Sequence, residues 1–160
     1  MDPSSLEERA SYYAARAGIR LVSELGHGTD GSVFKSDRET AIKAFGRLRN
    51  YEHELQCYQL LAAKGIARIK GFAVPSLTGF DDSLMVIEMT VVTLPYLIDF
   101  AKVSLGTPPD PIWRAQIDEE GEELFEGRWP IVRSLLAVLE THGIYYLDPK
   151  PGNIRFSDEL

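Results

Sequence analysis

Apolar residues recur along this chain at two different periods, and the switches between them predict its elements. Ser5 with Glu8 three residues on forms a capping-box pattern, so a helix is expected from about Leu6 to Arg16, ending before Gly18. Ile19 to Leu25 and Ser32 to Lys35 alternate as strands do, joined by a glycine hairpin, and Thr40 to Phe45 is a third strand. From Leu48 to Ala63 the period lengthens, with Tyr51, Leu55, Tyr58 and Ala62 at helical spacing. Ile66 to Val74 and Ser83 to Met89 then read as two more strands, connected by the turn-rich Pro75-Ser76-Leu77-Thr78-Gly79. Beyond Val92, Leu94 to Lys102 predicts a short helix, Gly106 to Pro111 a loop, and Gln116 to Glu126 an acidic, solvated helix or loop. Pro130 suits the first turn of a helix reaching about Thr141, with an apolar stripe of Ile131, Leu135 and Val138 supplemented by Val132, Leu136 and Leu139. Gly143 stands where a helix C-terminus takes glycine.

Composition narrows the function classes. The 160 residues suit one domain, or two small lobes sharing a core. A net charge of -7 repels phosphate backbones, which argues against nucleic acid as the main partner. Cys57 is the only cysteine, so no intramolecular disulfide can form and a reducing cytoplasm is the simplest setting. Met1 to Leu6 lacks the pattern of a secretory signal. The most apolar stretch, Leu84 to Ile98, is interrupted by Glu88 and Pro95 and is too short for a membrane span, so no membrane partner is expected.

Four segments carry chemistry. Gly26-His27-Gly28-Thr29-Asp30-Gly31-Ser32-Val33 matches G-x-G-x-x-G-x-V, where glycines let a backbone turn tightly and approach phosphate oxygens. A dinucleotide site would need a helix directly after the last glycine; Ser32 to Lys35 reads as strand, so the hairpin is preferred. Lys43, in Ala41-Ile42-Lys43, follows ten residues after Val33 and reaches either solvent or an anion in a cleft. Glu54 shares a helical face with Tyr58 and Leu61 and is the inward carboxylate and candidate partner of Lys43, whereas Glu52 lines up with Gln56 and Gln59 on a polar face. In Tyr145-Tyr146-Leu147-Asp148-Pro149-Lys150-Pro151-Gly152-Asn153, Asp148 can take a proton from a hydroxyl and Lys150 can neutralise a phosphoryl group. Asn153 offers a hard oxygen to magnesium, and Pro149 and Pro151 stiffen the loop.

In this order and spacing the segments resemble the protein-kinase-like superfamily, from about Ile19 to Phe156, in an atypical or bacterial, C-terminally reduced form. Leu84 to Met89 resembles the strand that runs into an adenine-binding hinge. The resemblance implies an α+β, protein-kinase-like fold. Residues 1–18 would be an N-terminal helical extension. Residues 19–92 would be an N-lobe with a five-stranded antiparallel sheet and one αC-like helix, and 93–160 a reduced, mainly helical C-lobe. It implies ATP and Mg2+ as cofactors. Gly26, Gly28, Gly31 and Val33 would cover the phosphates; Lys43 would contact them and pair with Glu54. Ile87, Glu88 and Met89 would bound the adenine site. Asp148 is implied as the catalytic base, Lys150 as its phosphate-facing companion and Asn153 as a metal ligand.

The chain departs from the family where Tyr146 and Leu147 replace His-Arg, and where no Asp-Phe-Gly follows Asn153. Asp158 is the fallback metal ligand, although a strand running into a turn at Ser157-Asp158-Glu159 places it away from the phosphates. That ending is also compatible with a natural chain continuing past Leu160. Three functions stay open: an ATP-dependent phosphotransferase acting on a hydroxyl of an unknown protein or small-molecule acceptor, a nucleotide-binding pseudokinase or regulatory module, and a non-nucleotide binding protein. A homo-oligomer formed through the reduced C-lobe is a further expectation.

Overall fold

A computed structural model describes residues 5–28 and 31–159; Thr29 and Asp30 of the glycine segment, Met1 to Ser4 and Leu160 lie outside the described residues. The first helix, α1 (Leu6–Ala17), is capped by Ser5, whose hydroxyl accepts from the Glu8 amide at 3.0 Å. Glu7 and Glu8 complement its positive end, and Gly18 (φ 71°) takes the left-handed conformation that terminates it. Then come β1 (Leu21–Gly28), β2 (Gly31–Ser36), β3 (Thr40–Phe45) and α2 (Leu48–Ala63). A small hairpin, β4 (Arg68–Ile69) and β5 (Phe72–Ala73), precedes β6 (Leu77–Asp81) and β7 (Val86–Thr90). Five of these strands form one antiparallel sheet in the order β1-β2-β3-β7-β6.

Both faces of the central strand β3 are covered, and side chains alternate between them. Ile42 and Ala44, with Val86 of β7, meet Ala10, Tyr13 and Ala14 of α1. Ala41 and Phe45, with Ile87 and Met89, meet Tyr51, Leu55 and Tyr58 of α2. Lys43 sits between Ala41 and Phe45 on that second face.

The remaining chain supplies β8 (Tyr96–Leu97), β9 (Val103–Leu105), α3 (Pro111–Phe125), a 3-10 turn, α4 (Trp129–Thr141), β10 (Ile144–Tyr146) and β11 (Ile154–Arg155). Asp110 caps α3 by accepting from the Trp113 amide at 2.8 Å. Gly143 (φ 77°) follows α4 in the left-handed region. A second sheet, β11-β8-β5-β4, pairs β8 antiparallel to β11 and parallel to β5, while β9 pairs with β10. Val132, Leu135, Leu136 and Leu139 of α4 join the α2-side cluster together with Leu97, Phe100 and Ile144, so one core unites both halves. Each such fully buried apolar side chain stabilises by about 1.5–3 kcal/mol. Among the described residues no helix is long and apolar enough to cross a membrane.

The α+β class and the five-stranded antiparallel sheet match the expectation, but not every strand does. The edge strand is Leu77–Asp81, not Ile66–Val74, and the turn falls at 82–85 instead of Pro75–Gly79. Gly79 had looked like a turn residue. In fact a Cβ there would lie 2.3 Å from the Tyr13 hydroxyl, so the glycine marks a close approach between α1 and the strand. The run from Ile66 folds on itself at Lys70 and Gly71, both with positive φ. Leu94 to Lys102 is not a helix. Pro95 O accepts from Ala73 N and Ile98 N donates to Asn153 O, each at 2.9 Å, and these long-range bonds override the local pattern. On α4, Ile131 is half exposed, and the buried face runs through Trp129, Val132, Leu135, Leu136 and Leu139. The C-terminal half holds two helices and four short strands.

Candidate active site

Lys43 is delivered by β3 to the face covered by α2, where it and Glu54 are 7% and 1% exposed. The Lys43 ammonium is 2.8 Å from Glu54 Oε2, and its Nζ stands 4.7 Å from the centre of the Phe45 ring. Glu54 Oε1 accepts from the Phe100 amide at 3.0 Å and from the Tyr58 hydroxyl at 3.4 Å. Burial pushes the Glu54 carboxyl above its ordinary value, and Lys43 pulls the other way. Glu52, by contrast, is exposed.

A third charge meets this pair. Asp99 Oδ1 is 3.7 Å from Lys43 Nζ. Asp99 adopts φ 67°, a left-handed conformation that Asp tolerates better than most residues. The segment around it is tied down on several sides. Glu54 holds the Phe100 amide, the Tyr146 hydroxyl donates to Ile98 O at 2.7 Å, and Ile98 N reaches Asn153 O. The Phe100 ring packs edge-on against Tyr58 and Tyr146, at 5.4 and 5.7 Å between centroids.

These groups line a cavity of about 600 Å³. Gly26, Gly28 and Gly31 of the β1–β2 hairpin border it, with Val33, Ala41 and Met89 as apolar lining and Lys43, Glu54, Asp99 and Asn153 as polar lining. Gly31 is required sterically, because at φ 151° a Cβ would lie 2.2 Å from Ala44 O. Of the run Ile87 to Met89, only Met89 lines the cavity. Ile87 is fully buried in the core, and the Glu88 side chain faces α1, accepting from the Tyr13 hydroxyl at 2.9 Å and the Thr40 hydroxyl at 2.7 Å.

Asp148 borders a second cavity, of about 620 Å³. Its carboxylate lies 3.4 Å from Lys102 Nζ and 3.7 Å from Lys150 Nζ. Asp99 lines the first cavity, and Ala101, Lys102 and Val103 line the second, so one short segment borders both. Asp158 lines neither. It is exposed and pairs with Arg128, whose hydrogen bond holds its carboxyl below the usual range, so the fallback ligand is not brought to the other residues.

Sequence reasoning passes over Asp99, because the resemblance places an Asp-Phe-Gly only after Asn153. The signal was present upstream as Asp99-Phe100-Ala101, following the apolar Leu97 and Ile98. Antiparallel pairing of Leu97 with Ile154 brings that segment beside Asn153. No group of three or more His, Cys, Asp or Glu side chains suited to a metal occurs among the described residues. Asp99 and Asn153 instead offer one carboxylate and one amide oxygen. That donor set fits Mg2+, which keeps waters and takes its remaining ligands from a bound phosphate chain.

No family model matches this chain, and neither does any curated protein. Among solved structures it is similar to the streptomycin–ATP–APH(2")-IIa ternary complex, with a TM-score of 0.39 and 14% identity. The match covers 82% of this chain and 36% of that one, so this chain spans about a third of that structure.

Proposed function

We propose that this chain is a kinase-like phosphotransferase that binds ATP with magnesium in the glycine-bordered cavity and moves the γ-phosphoryl group to a hydroxyl. The observation that carries the reading is Lys43, ion-paired to Glu54 and close to Asp99 in a cavity that Asn153 and the glycine hairpin also line. A buried lysine held by a fully buried glutamate is costly as structure alone, since removing two charges from water is only partly offset by their attraction. Such a pair has a use where a polyanion must be gripped.

In this reading the hairpin backbone at Gly26, Gly28 and Gly31 covers the phosphates, Lys43 neutralises charge on them, and Met89 with Val33 and Ala41 bounds the base. Asp99 and Asn153 would hold magnesium, which when bound neutralises charge on phosphate oxygens. Asp148 accepts the proton as the acceptor oxygen bonds to the γ-phosphorus and the bond to the β-phosphate oxygen breaks, releasing ADP. Lys102 and Lys150 flank Asp148, with ammonium nitrogens 3.4 and 3.7 Å from its carboxylate. Asp99 thus takes the role expected of a residue downstream of Asn153.

The test is release or transfer of the γ-phosphate by wild type, D99N, D148N and D158N, alongside the melting shift given by ATP with magnesium. D99N is expected to lose on the order of a hundredfold or more in turnover. D148N should lose turnover while keeping the ATP shift, and D158N should match wild type. Wild-type turnover by D99N, or no melting shift with MgATP, would overturn the reading. A shift with no turnover in wild type would favour the nucleotide-binding module instead.

A further inference from the structure

We infer that the second cavity receives the phosphoryl acceptor, and that this acceptor is a small anionic molecule carrying a free hydroxyl. The inference rests on the reading of Asp148 as the base. A volume of about 620 Å³ falls within the range of small-molecule sites. Its lining is cationic against the trend of the protein: Arg47, Arg49 and Lys102 face it, with Glu120 as the one acid besides Asp148, in a chain of net charge -7.

The two arginines are placed at a cost. They open α2, whose first turn contains no acidic residue and whose N-cap, Arg47, makes no capping bond with its side chain. Positive charge at that end opposes the helix dipole, and neither arginine pairs with a carboxylate among the described residues. Helix formation gives no reason for them, whereas an anion in the adjacent cavity does. Trp113, half exposed on α3, adds an apolar wall for the body of the ligand.

Lys102 links recognition to chemistry. It sits 3.4 Å from Asp148 Oδ2. An acceptor whose acidic group engages Lys102 competes for that ion pair and leaves Asp148 available to the acceptor hydroxyl. A neutral or cationic acceptor gains nothing from Arg47 and Arg49 and leaves Asp148 paired.

The experiment compares glycerate and glycerol 3-phosphate with glycerol and ethanolamine, as additives in melting assays with saturating MgATP and as acceptors of labelled γ-phosphate. The anionic pair should shift the melt and accept phosphate with KM values at least about tenfold lower than the others, and the R47A/R49A variant should erase most of that preference. Raising the salt concentration should weaken it in wild type. A panel with no charge preference, including one in which no probe shifts the melt, overturns the inference, as does a preference that R47A/R49A retains. Failure of the parent reading is separate: there, MgATP alone gives wild type no melting shift.

Discussion

Replacing Lys43 by Met makes the stability of this protein fall with rising pH, and the structure sets both sign and size. The substitution removes a buried ammonium and leaves Glu54, 1% exposed, with the Phe100 amide and the Tyr58 hydroxyl as hydrogen-bond donors. Burial already raises the Glu54 carboxyl above its ordinary 4.5, and Lys43 is the largest influence opposing that rise. Without Lys43 the folded-state value moves further up. Between 4.5 and that value the native state binds a proton that the unfolded chain has released, so stability drops as pH rises, by about 1.4 kcal/mol per unit for one group. Leaving a buried charge without its partner costs about 3–5 kcal/mol in total. The loss of Asp99's partner adds little, because that carboxylate is 29% exposed and screened by water. Urea unfolding of K43M and K43M/E54Q from about pH 5 to about pH 8 isolates the effect, since the double variant has no acid at position 54. The gap between them should widen with pH toward that total. A gap that stays constant would refute the buried pair.

Asp81 should behave in the opposite sense: hydrogen bonds from Ser83 and Leu84 and the Arg16 ion pair hold its carboxyl below the ordinary 3.8. Its contribution is present above that value and lost as pH falls through the folded one, so Asp81→Asn should cost about 1–2 kcal/mol in neutral urea melts and converge with wild type in acid. Gly31→Ala, forced to φ 151° with its Cβ 2.2 Å from Ala44 O, should lose at least about 2 kcal/mol and weaken the MgATP melting shift. Gly121→Ala should lower Tm even though alanine favours helix by about 1 kcal/mol, because its Cβ would lie 2.4 Å from the buried Trp129 ring.

Local periodicity was enough to place α2 from Leu48 to Ala63 and to separate Glu54 from Glu52, because a helix buries residues at fixed short intervals. The same reasoning erred wherever a partner distant in sequence decided the outcome. Glycine at position 79 looked like a turn because its need for space came from Tyr13, on a different element. Ile131 looked like core because it sits one position from the true face of α4. In these cases the missing information was which surface packs against which, and composition within a window does not contain it.

The position of Asp99 is not legible in the sequence, because what places it beside Lys43 and on the cavity of Asn153 is strand pairing, not a local pattern. The resemblance places a strand followed by Asp-Phe after Asn153, as the second arm of a hairpin, and the sequence has none there. In this fold the strand paired with β11 is β8, which precedes α3 and α4, while β11 follows them. The antiparallel bonds between Leu97 and Ile154, and between Tyr96 and Arg155, depend only on the two strands lying side by side in opposite directions. They are indifferent to which strand the chain visits first. Reversing that order leaves Asp99 beside Lys43 and on the same cavity as Asn153, provided other contacts hold the strand in register. Those contacts exist: Glu54 on the Phe100 amide, Tyr146 on Ile98 O, and β5 on the far side of β8. A chemical constellation of this kind is assembled by adjacency in space, so the order of its residues along the chain is a weaker requirement than the pairing that brings them together.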